Sequence, residues 1–151
     1  MQRLLASDKV YISQSKIPNA QRGVFAGVDI KKGETIERCP IIEVSKYDTA
    51  NLNESLLVTY FLYFGRNKER LAVMLGFGSL YNHSYHPNAT FKIKIKEKLV
   101  DFIALKNIKK DEEITFNYNH GSSKDKETLN DKKTSNNKRR LWFESLDEST
   151  H

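Results

Sequence analysis

The sequence predicts an α+β domain that is mainly β, on three observations. Apolar residues recur through the first 118 of the 151 residues, which is enough chain for one domain with a buried core. Most of the apolar segments are short, and they are separated by turn residues or alternate with polar positions, as strands do. By contrast, residues 53–64 place apolar side chains three and four positions apart, which predicts an amphipathic helix.

The individual elements follow from the positions of apolar segments and turn signals. Pro18-Asn19 marks a loop after the first strand, and Lys31-Lys32-Gly33-Glu34 marks a later turn. We find no internal repeat. The predicted strands, in chain order, lie at residues 10–12, 24–26, 35–38, 41–44, 71–75, 90–95, 100–105 and 113–118.

The C-terminal part of the sequence differs in composition from the rest. Residues 120–140 are rich in lysine and asparagine, and we expect a flexible basic linker because they cannot bury enough apolar surface to offset the entropy of ordering. Residues 141–151 begin with the apolar cluster Leu141-Trp142-Phe143, which we expect to dock back onto the domain. The predicted organisation is therefore a domain at 1–119, a linker at 120–140 and a docking segment at 141–151.

Charge and composition restrict the classes of partner. Lys and Arg number 25 against 19 Asp and Glu, and the net charge is +6. The basic tail is either a solvated segment or a site of attraction for an acidic or nucleic-acid-associated partner, although no base-reading motif is present. No apolar run approaches the ~20 residues of a membrane span, and the N-terminus lacks a secretory apolar stretch. We expect a soluble intracellular protein without a membrane partner, cytoplasmic if the source is bacterial.

The segment most informative about chemistry spans residues 76–89 and contains Asn82, His83, His86 and Asn88. From the residues alone, it is a turn-rich segment whose amide and imidazole groups need hydrogen-bond partners if they are buried. His83 and His86 have no acidic or cysteine ligand nearby in the sequence, and the single Cys39 cannot form a zinc site alone. We therefore predict no metal.

Four motifs in this sequence resemble those of one enzyme family. Asn82-His83-Ser84, followed by Pro87-Asn88, resembles the NHSxxPN signature of SET-domain protein-lysine methyltransferases. Residues 112–118 resemble the family's last motif, EELTFDY. Residues 75–81 resemble the corresponding segment of small bacterial and viral members of the family. The three other matches, in the family's order, are Arg22-Gly23-Val24-Phe25-Ala26, Ile30-Lys31-Lys32-Gly33-Glu34-Thr35-Ile36 and Glu112-Glu113-Ile114-Thr115-Phe116-Asn117-Tyr118.

The resemblance implies the SET-domain fold, with several small sheets and a knot-like crossing near the active site. It also implies that cofactor and substrate peptide enter from opposite faces and meet in a narrow channel. The implied cofactor is S-adenosylmethionine, which becomes S-adenosylhomocysteine. The resemblance implies that Asn82 binds its methionine end through the side-chain amide and that the backbone of His83 meets the adenine. Backbone groups of Arg22, Gly23 and Val24 are also implied to bind it, with Trp142 or Phe143 beside the adenine.

The resemblance also assigns catalytic and channel residues. Tyr118 is the implied catalytic tyrosine, and Tyr60, Phe91, Phe116 and Tyr118 are the implied lysine channel. Tyr60 or Tyr63 would fill the space where many relatives carry a tyrosine and this chain has Cys39. The cysteine-rich segment of many eukaryotic relatives is missing here, so Trp142-Phe143 would act as the closing lid. The alternatives are that Trp142-Phe143 is a simple hydrophobic latch and that the phenylalanines only fill the core.

The implied function is transfer of methyl groups from S-adenosylmethionine to lysine side chains of a histone-like, ribosomal or other protein. Because Phe91 and Phe116 lack a hydroxyl group, we expect di- or trimethylation rather than monomethylation. Two alternatives remain: a catalytically silent SET-like module that binds a protein partner, and a basic nucleic-acid-binding protein. The sequence leaves the oligomeric state, including a homodimer, open.

Overall fold

A computed structural model describes residues 4–64 and 70–118 of the chain. The predicted linker at 120–140 and docking segment at 141–151 lie outside these residues. Within them, no helix has both the length and the apolar character needed to cross a bilayer. The elements are β1 (Val10–Gln14), β2 (Arg22–Ala26), β3 (Thr35–Val44), α1 (Lys46–Asn53), a 3₁₀ turn (Leu56–Tyr60), β4 (Phe61–Phe64), β5 (Arg70–Met74), a second 3₁₀ turn (Gly78–Leu80), β6 (Asn82–His83), β7 (Ala89–Lys94), β8 (Leu99–Ala104) and β9 (Glu113–Phe116).

The strands form two sheets, which confirms the prediction of a mainly β, α+β domain. One sheet has the order β4-β5-β3-β8-β7 and is antiparallel throughout. The other has the order β1-β2-β9-β6, in which β9 is antiparallel to β2 and parallel to β6. The last described strand therefore lies inside the sheet that the first strand begins.

Three phenylalanine rings join the two sheets. Phe91 on β7, Phe102 on β8 and Phe116 on β9 are all buried. The Phe102 ring centroid lies 5.3 Å from that of Phe116 and 6.3 Å from that of Phe91, and Phe91 and Phe116 are 5.5 Å apart. Such edge-to-face and tilted contacts add about 0.5–1.5 kcal/mol per pair to the energy of burial.

The predicted helix at residues 53–64 is wrong. Helix α1 ends at Asn53, and the segment continues as a 3₁₀ turn, Leu56–Tyr60, and strand β4. Ser55 caps the turn by accepting from the Leu57 amide at 3.2 Å. Leu56 and Leu57 are exposed, so the helical spacing did not mark a core face. Of the aromatic residues with this spacing, Tyr60 ends the turn, whereas Phe61 and Phe64 are the first and last residues of β4, which pairs with β5.

Helix α1 escaped prediction because none of its residues is buried, so no apolar periodicity marks it. The two strands predicted at 35–38 and 41–44 are one strand, β3. Residues 35–40 of β3 pair with β8 and residues 41–44 pair with β5. Pro40 lies where the pairing changes from one neighbour to the other, and a residue without an amide hydrogen is tolerated there.

A short internal repeat, overlooked in the sequence, forms a pair of contacting turns. Residues 29–34 read Asp-Ile-Lys-Lys-Gly-Glu and residues 107–112 read Asn-Ile-Lys-Lys-Asp-Glu. Ile30 and Ile108 are both buried and exchange backbone hydrogen bonds of 2.8 Å in each direction. We call these segments the twin turns.

The side chains of the twin turns also form reciprocal hydrogen bonds, each from one turn to the other. Asp29 Oδ1 accepts from the Lys110 amide, and Asn107 Oδ1 accepts from the Lys32 amide, each at 2.9 Å. The fifth residue of each turn, Gly33 or Asp111, has a left-handed backbone with φ of 86° or 66°. The twin turns therefore share a conformation as well as a sequence.

Gly33→Ala should lower the free energy of unfolding by about 1 kcal/mol, since only the left-handed backbone opposes the new methyl group. An added Cβ at Gly33 meets no atom within 4 Å. Gly33→Asp should cost less, because aspartate tolerates this conformation better and already occupies the equivalent position 111. Chemical denaturation measures both changes.

Gly27→Ala is the matched control. Its added Cβ would make ordinary contacts, the nearest at 3.5 Å, and we expect a change within about 0.5 kcal/mol. Equal losses at Gly27 and Gly33 would contradict the assignment of backbone strain to Gly33.

Candidate active site

The parallel pairing of β6 with β9 brings the two most distinctive motifs together. Asn82 lies opposite Thr115, and His83 lies opposite Phe116. The Ser84 amide extends this pairing by donating to the Phe116 carbonyl at 3.1 Å. Residues separated by more than thirty positions in the sequence therefore form one compact site.

Asn88 fixes β9 in this position through its side chain. The buried amide donates from Nδ2 to the Glu113 carbonyl at 2.8 Å and to Glu112 Oε1 at 3.1 Å. Its Oδ1 accepts from the Thr115 amide at 2.9 Å. The side chain thus supplies the hydrogen bonds that a neighbouring strand would supply. Our sequence analysis gave Asn88 no role, although a buried amide in a turn requires such partners.

Tyr118 is held by its hydroxyl group, its backbone and its ring. The hydroxyl donates to the Tyr81 carbonyl at 2.7 Å, and the backbone amide donates to His83 Nδ1 at 3.1 Å. The ring centroid lies 4.8 Å from that of Phe116 and 5.1 Å from that of His83. These contacts place the predicted catalytic tyrosine beside Asn82-His83.

His83 acts in the described structure through its side chain. Burial lowers the pKa of its imidazole, which favours the neutral form near pH 7. A neutral ring suits the observed bond, since Nδ1 must carry a lone pair to accept the Tyr118 amide hydrogen. The sequence assigned the backbone of His83 to adenine, and that role stays a prediction.

Asn82 and Gly23 pack against a carboxylate that the sequence analysis missed. Asn82 Nδ2 donates to Glu113 Oε1 at 2.8 Å and to the Arg22 carbonyl at 2.9 Å. A Cβ on Gly23 would lie 2.2 Å from Glu113 Oε1, so a larger residue here would displace the Glu113 carboxylate from its present position. Ser15 also donates its hydroxyl to Glu113. An amide, a carboxylate and the backbone of β2 therefore meet at one point.

The other residues predicted to bind cofactor have different environments. Arg22 is exposed at the start of β2, whereas Val24 is fully buried between β1 and β9. Trp142 and Phe143 lie outside the described residues, and their role remains a prediction.

A small open cleft lies next to Tyr118. The four residues predicted for the lysine channel, Tyr60, Phe91, Phe116 and Tyr118, all line it. Ser79 fastens one wall by donating its hydroxyl to the Tyr60 carbonyl at 3.2 Å and to the Met74 carbonyl at 3.0 Å. The remaining lining residues are Thr59, Phe61, Leu62, Met74, Gly78, Ser79 and Tyr81.

Neither Tyr63, the alternative to Tyr60 in the lysine channel, nor Cys39, where many relatives carry the channel tyrosine, lines the cleft. Tyr63 is 48% exposed and is not among the lining residues. Cys39 is fully buried, and burial followed by the neighbouring Glu37 charge raises the pKa of its thiol. A protonated, inaccessible thiol is a poor nucleophile.

Another carboxylate, that of the buried Glu37, lies behind the cleft. It accepts the Tyr81 hydroxyl hydrogen at 2.9 Å and the Phe77 amide hydrogen at 2.9 Å. Burial, and then the Glu37 charge, raise the pKa of Tyr81, which keeps this hydroxyl protonated as a donor. No pattern in the sequence marks Glu37, because the register shift between Thr35 and Glu37 breaks the alternation of β3.

Within the described ranges, no group of three or more His, Cys, Asp or Glu side chains is arranged to hold a metal ion.

Comparison with known proteins identifies the family. A SET domain model matches residues 21–119. A Schizosaccharomyces pombe histone-lysine N-methyltransferase, described as specific for histone H3 lysine-37, is 32% identical over 98 residues. The match covers 64% of this chain and 65% of that relative.

Solved structures agree with this match. A Plasmodium falciparum protein, provisionally described as a histone methyltransferase, superposes with a TM-score of 0.61 at 35% identity, over 75% of this chain and 95% of that one. The Chaetomium thermophilum polycomb repressive complex 2, in an autoinhibited conformation bound to S-adenosylmethionine, gives 0.63 at 25% identity, over 76% of this chain and 15% of that one. The four motifs occur in the family's order, and the fold and these matches agree with them. The chain therefore belongs to the SET-domain family.

Proposed function

We propose that this protein transfers methyl groups from S-adenosylmethionine to lysine side chains of a protein substrate. The observation that carries the proposal is the placement of the Tyr118 hydroxyl, held by the Tyr81 carbonyl, at an aromatic cleft beside Asn82. Family membership and the histone-lysine methyltransferase relative support the same activity. That relative, together with the complex named above, makes histones the first substrate class to test.

The residues present fit the amino-acid end of the proposed cofactor. An ammonium group needs several acceptors close together, and the Glu113 carboxylate, the Asn82 side-chain oxygen and the Arg22 carbonyl provide such a set. We propose that the backbone of Arg22, Gly23, Val24 and His83 completes this site, with Trp142 or Phe143 beside the adenine. When bound, S-adenosylmethionine supplies a methyl group activated by a sulfonium.

The cleft residues would prepare the substrate amine for attack. At pH 7, a free lysine with a pKa of ~10.4 is protonated by a margin worth ~4.6 kcal/mol. Aromatic walls at Phe91, Phe116 and Tyr60 disfavour the ammonium form through desolvation, and so they lower this cost. Alignment within the cleft would supply the remaining advantage.

Tyr118 would orient the reacting groups through its oxygen. Its hydroxyl hydrogen is donated to the Tyr81 carbonyl, so the oxygen lone pairs remain acceptors. Such an oxygen can accept hydrogen bonds from an amine and weak C–H hydrogen bonds from a methyl group. Tyr118 is thus proposed to position the reacting groups rather than to form a covalent intermediate.

The protein should bind S-adenosylmethionine in the presence of chelator, because the proposed contacts are amide, carboxylate and backbone groups. Asn82→Ala should weaken binding about 5- to 100-fold, the loss expected for one or more hydrogen bonds to charged groups. Titration calorimetry measures both. Asn51→Ala, at an exposed position of α1, is the control. Binding that requires a divalent ion would refute this site.

Tyr118→Phe should reduce kcat about 100-fold while the dissociation constant for cofactor changes little, since the hydroxyl acts where the methyl group is transferred. Initial rates with labelled S-adenosylmethionine and a panel of histones and ribosomal proteins give kcat. Tyr85→Phe, which removes a hydroxyl from a residue 65% exposed, is the control. Activity within a few-fold of the unsubstituted enzyme would remove Tyr118 from catalysis.

Successive transfers should yield di- or trimethyl-lysine, because Phe116 and Phe91 leave room for a methylated amine to turn in the cleft. Phe116→Tyr should shift products toward monomethyl-lysine, since the added hydroxyl can hold a water molecule beside the amine. Intact-mass spectrometry at saturating cofactor follows the products. Phe25→Tyr, outside the cleft lining, is the control. A wild-type product that stops at monomethyl-lysine would contradict the prediction.

A further inference from the structure

The buried carboxylate of Glu37 has bonding partners that point to a role in the site. Glu37 is 7% exposed, and the register shift in β3 turns both Ile36 and Glu37 toward the interior. Burying a carboxylate costs several kcal/mol unless donors replace water. Here the donors are the Phe77 amide on one oxygen and the Tyr81 hydroxyl on the other.

These two donors are the two ends of the same turn. Phe77 precedes the 3₁₀ turn Gly78–Leu80, and Tyr81 follows it. Gly76, with a φ of 66°, admits the carboxylate, because a Cβ there would lie 2.4 Å from Glu37 Oε1. The Glu37 side chain on β3 therefore bonds to both ends of the 3₁₀ turn that connects β5 to β6.

The end of that turn leads directly to the candidate active site. The Tyr81 carbonyl accepts the Tyr118 hydroxyl hydrogen at 2.7 Å, and the next residue is Asn82. Strand β6 is two residues long and offers little backbone pairing of its own to fix this carbonyl. The Tyr81 ring, stacked on Phe102 with centroids 4.3 Å apart, and its bond to Glu37 supply the missing restraint.

We propose that Glu37 is a positioning residue of the active site: by holding the Tyr81 hydroxyl and the Phe77 amide, it fixes the Tyr81 carbonyl that orients the Tyr118 hydroxyl. The expected effect of Glu37 on the rate of methyl transfer rests on the proposed function. Its effect on the orientation of the Tyr118 hydroxyl does not. Glu37 acts here through hydrogen-bond geometry and not through its charge.

Two substitutions at position 37 separate geometry from charge. In Glu37→Gln, the carbonyl oxygen can accept from the Phe77 amide while the new NH₂ group donates to the Tyr81 oxygen, so both links persist without the charge. Glu37→Leu removes both. We expect kcat of Glu37→Gln to stay within about threefold of the wild-type value, and kcat of Glu37→Leu to fall about tenfold. This loss is smaller than the reduction of about 100-fold in rate that a misplacement of the reacting groups by about 1 Å can cause.

Tyr81→Phe removes only the hydroxyl and keeps the ring stacked on Phe102, so it tests the link if Glu37→Leu fails to fold. It should lower kcat about tenfold while the dissociation constant for S-adenosylmethionine stays within about twofold. Tyr11→Phe is the matched control, since it removes another tyrosine-to-carboxylate bond, 2.8 Å to Asp111, at an exposed position. It should leave both constants unchanged.

A readout that needs no activity is the NMR shift of the Cζ ring carbon of Tyr118, which reports the hydrogen bond of its hydroxyl. Tyrosine labelled at this carbon gives one signal per residue, and Tyr118→Phe assigns the relevant signal by its loss. We expect the Tyr118 signal to move in Tyr81→Phe and Glu37→Leu, and to stay near its wild-type position in Glu37→Gln and Tyr11→Phe.

The outcomes separate this inference from the proposed function. An active wild type, with kcat and the Tyr118 signal unchanged in Tyr81→Phe, would overturn the inference and leave the methyltransferase intact. Equal losses in Glu37→Gln and Glu37→Leu would assign the effect to charge and would also overturn it. A wild type inactive on the whole substrate panel would count against the proposed function, and the Tyr118 signal would still decide the role of Glu37.

Discussion

The hydrogen bonds that hold β9 between β2 and β6 determine where the rest of the site lies. This strand is paired on both sides, and the Asn88 side chain adds bonds to Glu113 and Thr115. Tyr118 follows two residues after the strand and inherits its position. Without this insertion, Asn82 and Tyr118 would belong to separate surfaces, and the cleft would lose a wall.

The residues assigned to chemistry also hold one another in place through direct hydrogen bonds. His83 accepts from the Tyr118 backbone, Asn82 bonds to Glu113, and Gly23 makes room for that carboxylate. Such prior bonding reduces the freedom lost when a ligand binds, which is the general advantage of preorganisation. It also means that a substitution at Asn82 or Gly23 affects stability and binding together, so stability must be measured beside function.

The sequence predicted most of the strands, and it singled out residues that the structure brings together at the candidate site, for identifiable reasons. Strands with one buried face carry an alternating pattern, and the motif segments carry an order that resemblance can detect. The helix at 53–64 failed, because the residues that followed helical spacing were divided between an exposed turn and strand β4. Glu37 could not be found, because a register shift has no pattern in a single sequence. The sequence similarity of the twin turns can be recognised in the sequence alone, but our sequence-based prediction did not include it.

The central place of β9 has a consequence for the order in which the molecule can be assembled during synthesis. Chain growth runs from the N-terminus, so β1, β2 and β6 exist before residues 113–116 are made. Until then, β2 has an unpaired edge beside the buried Val24, and β6 has no described neighbour in its sheet. Unpaired edges invite pairing with other chains, and long-range contacts form slowly. The nascent domain therefore stays open until β9 is available, and the candidate site and the cleft form in the same step.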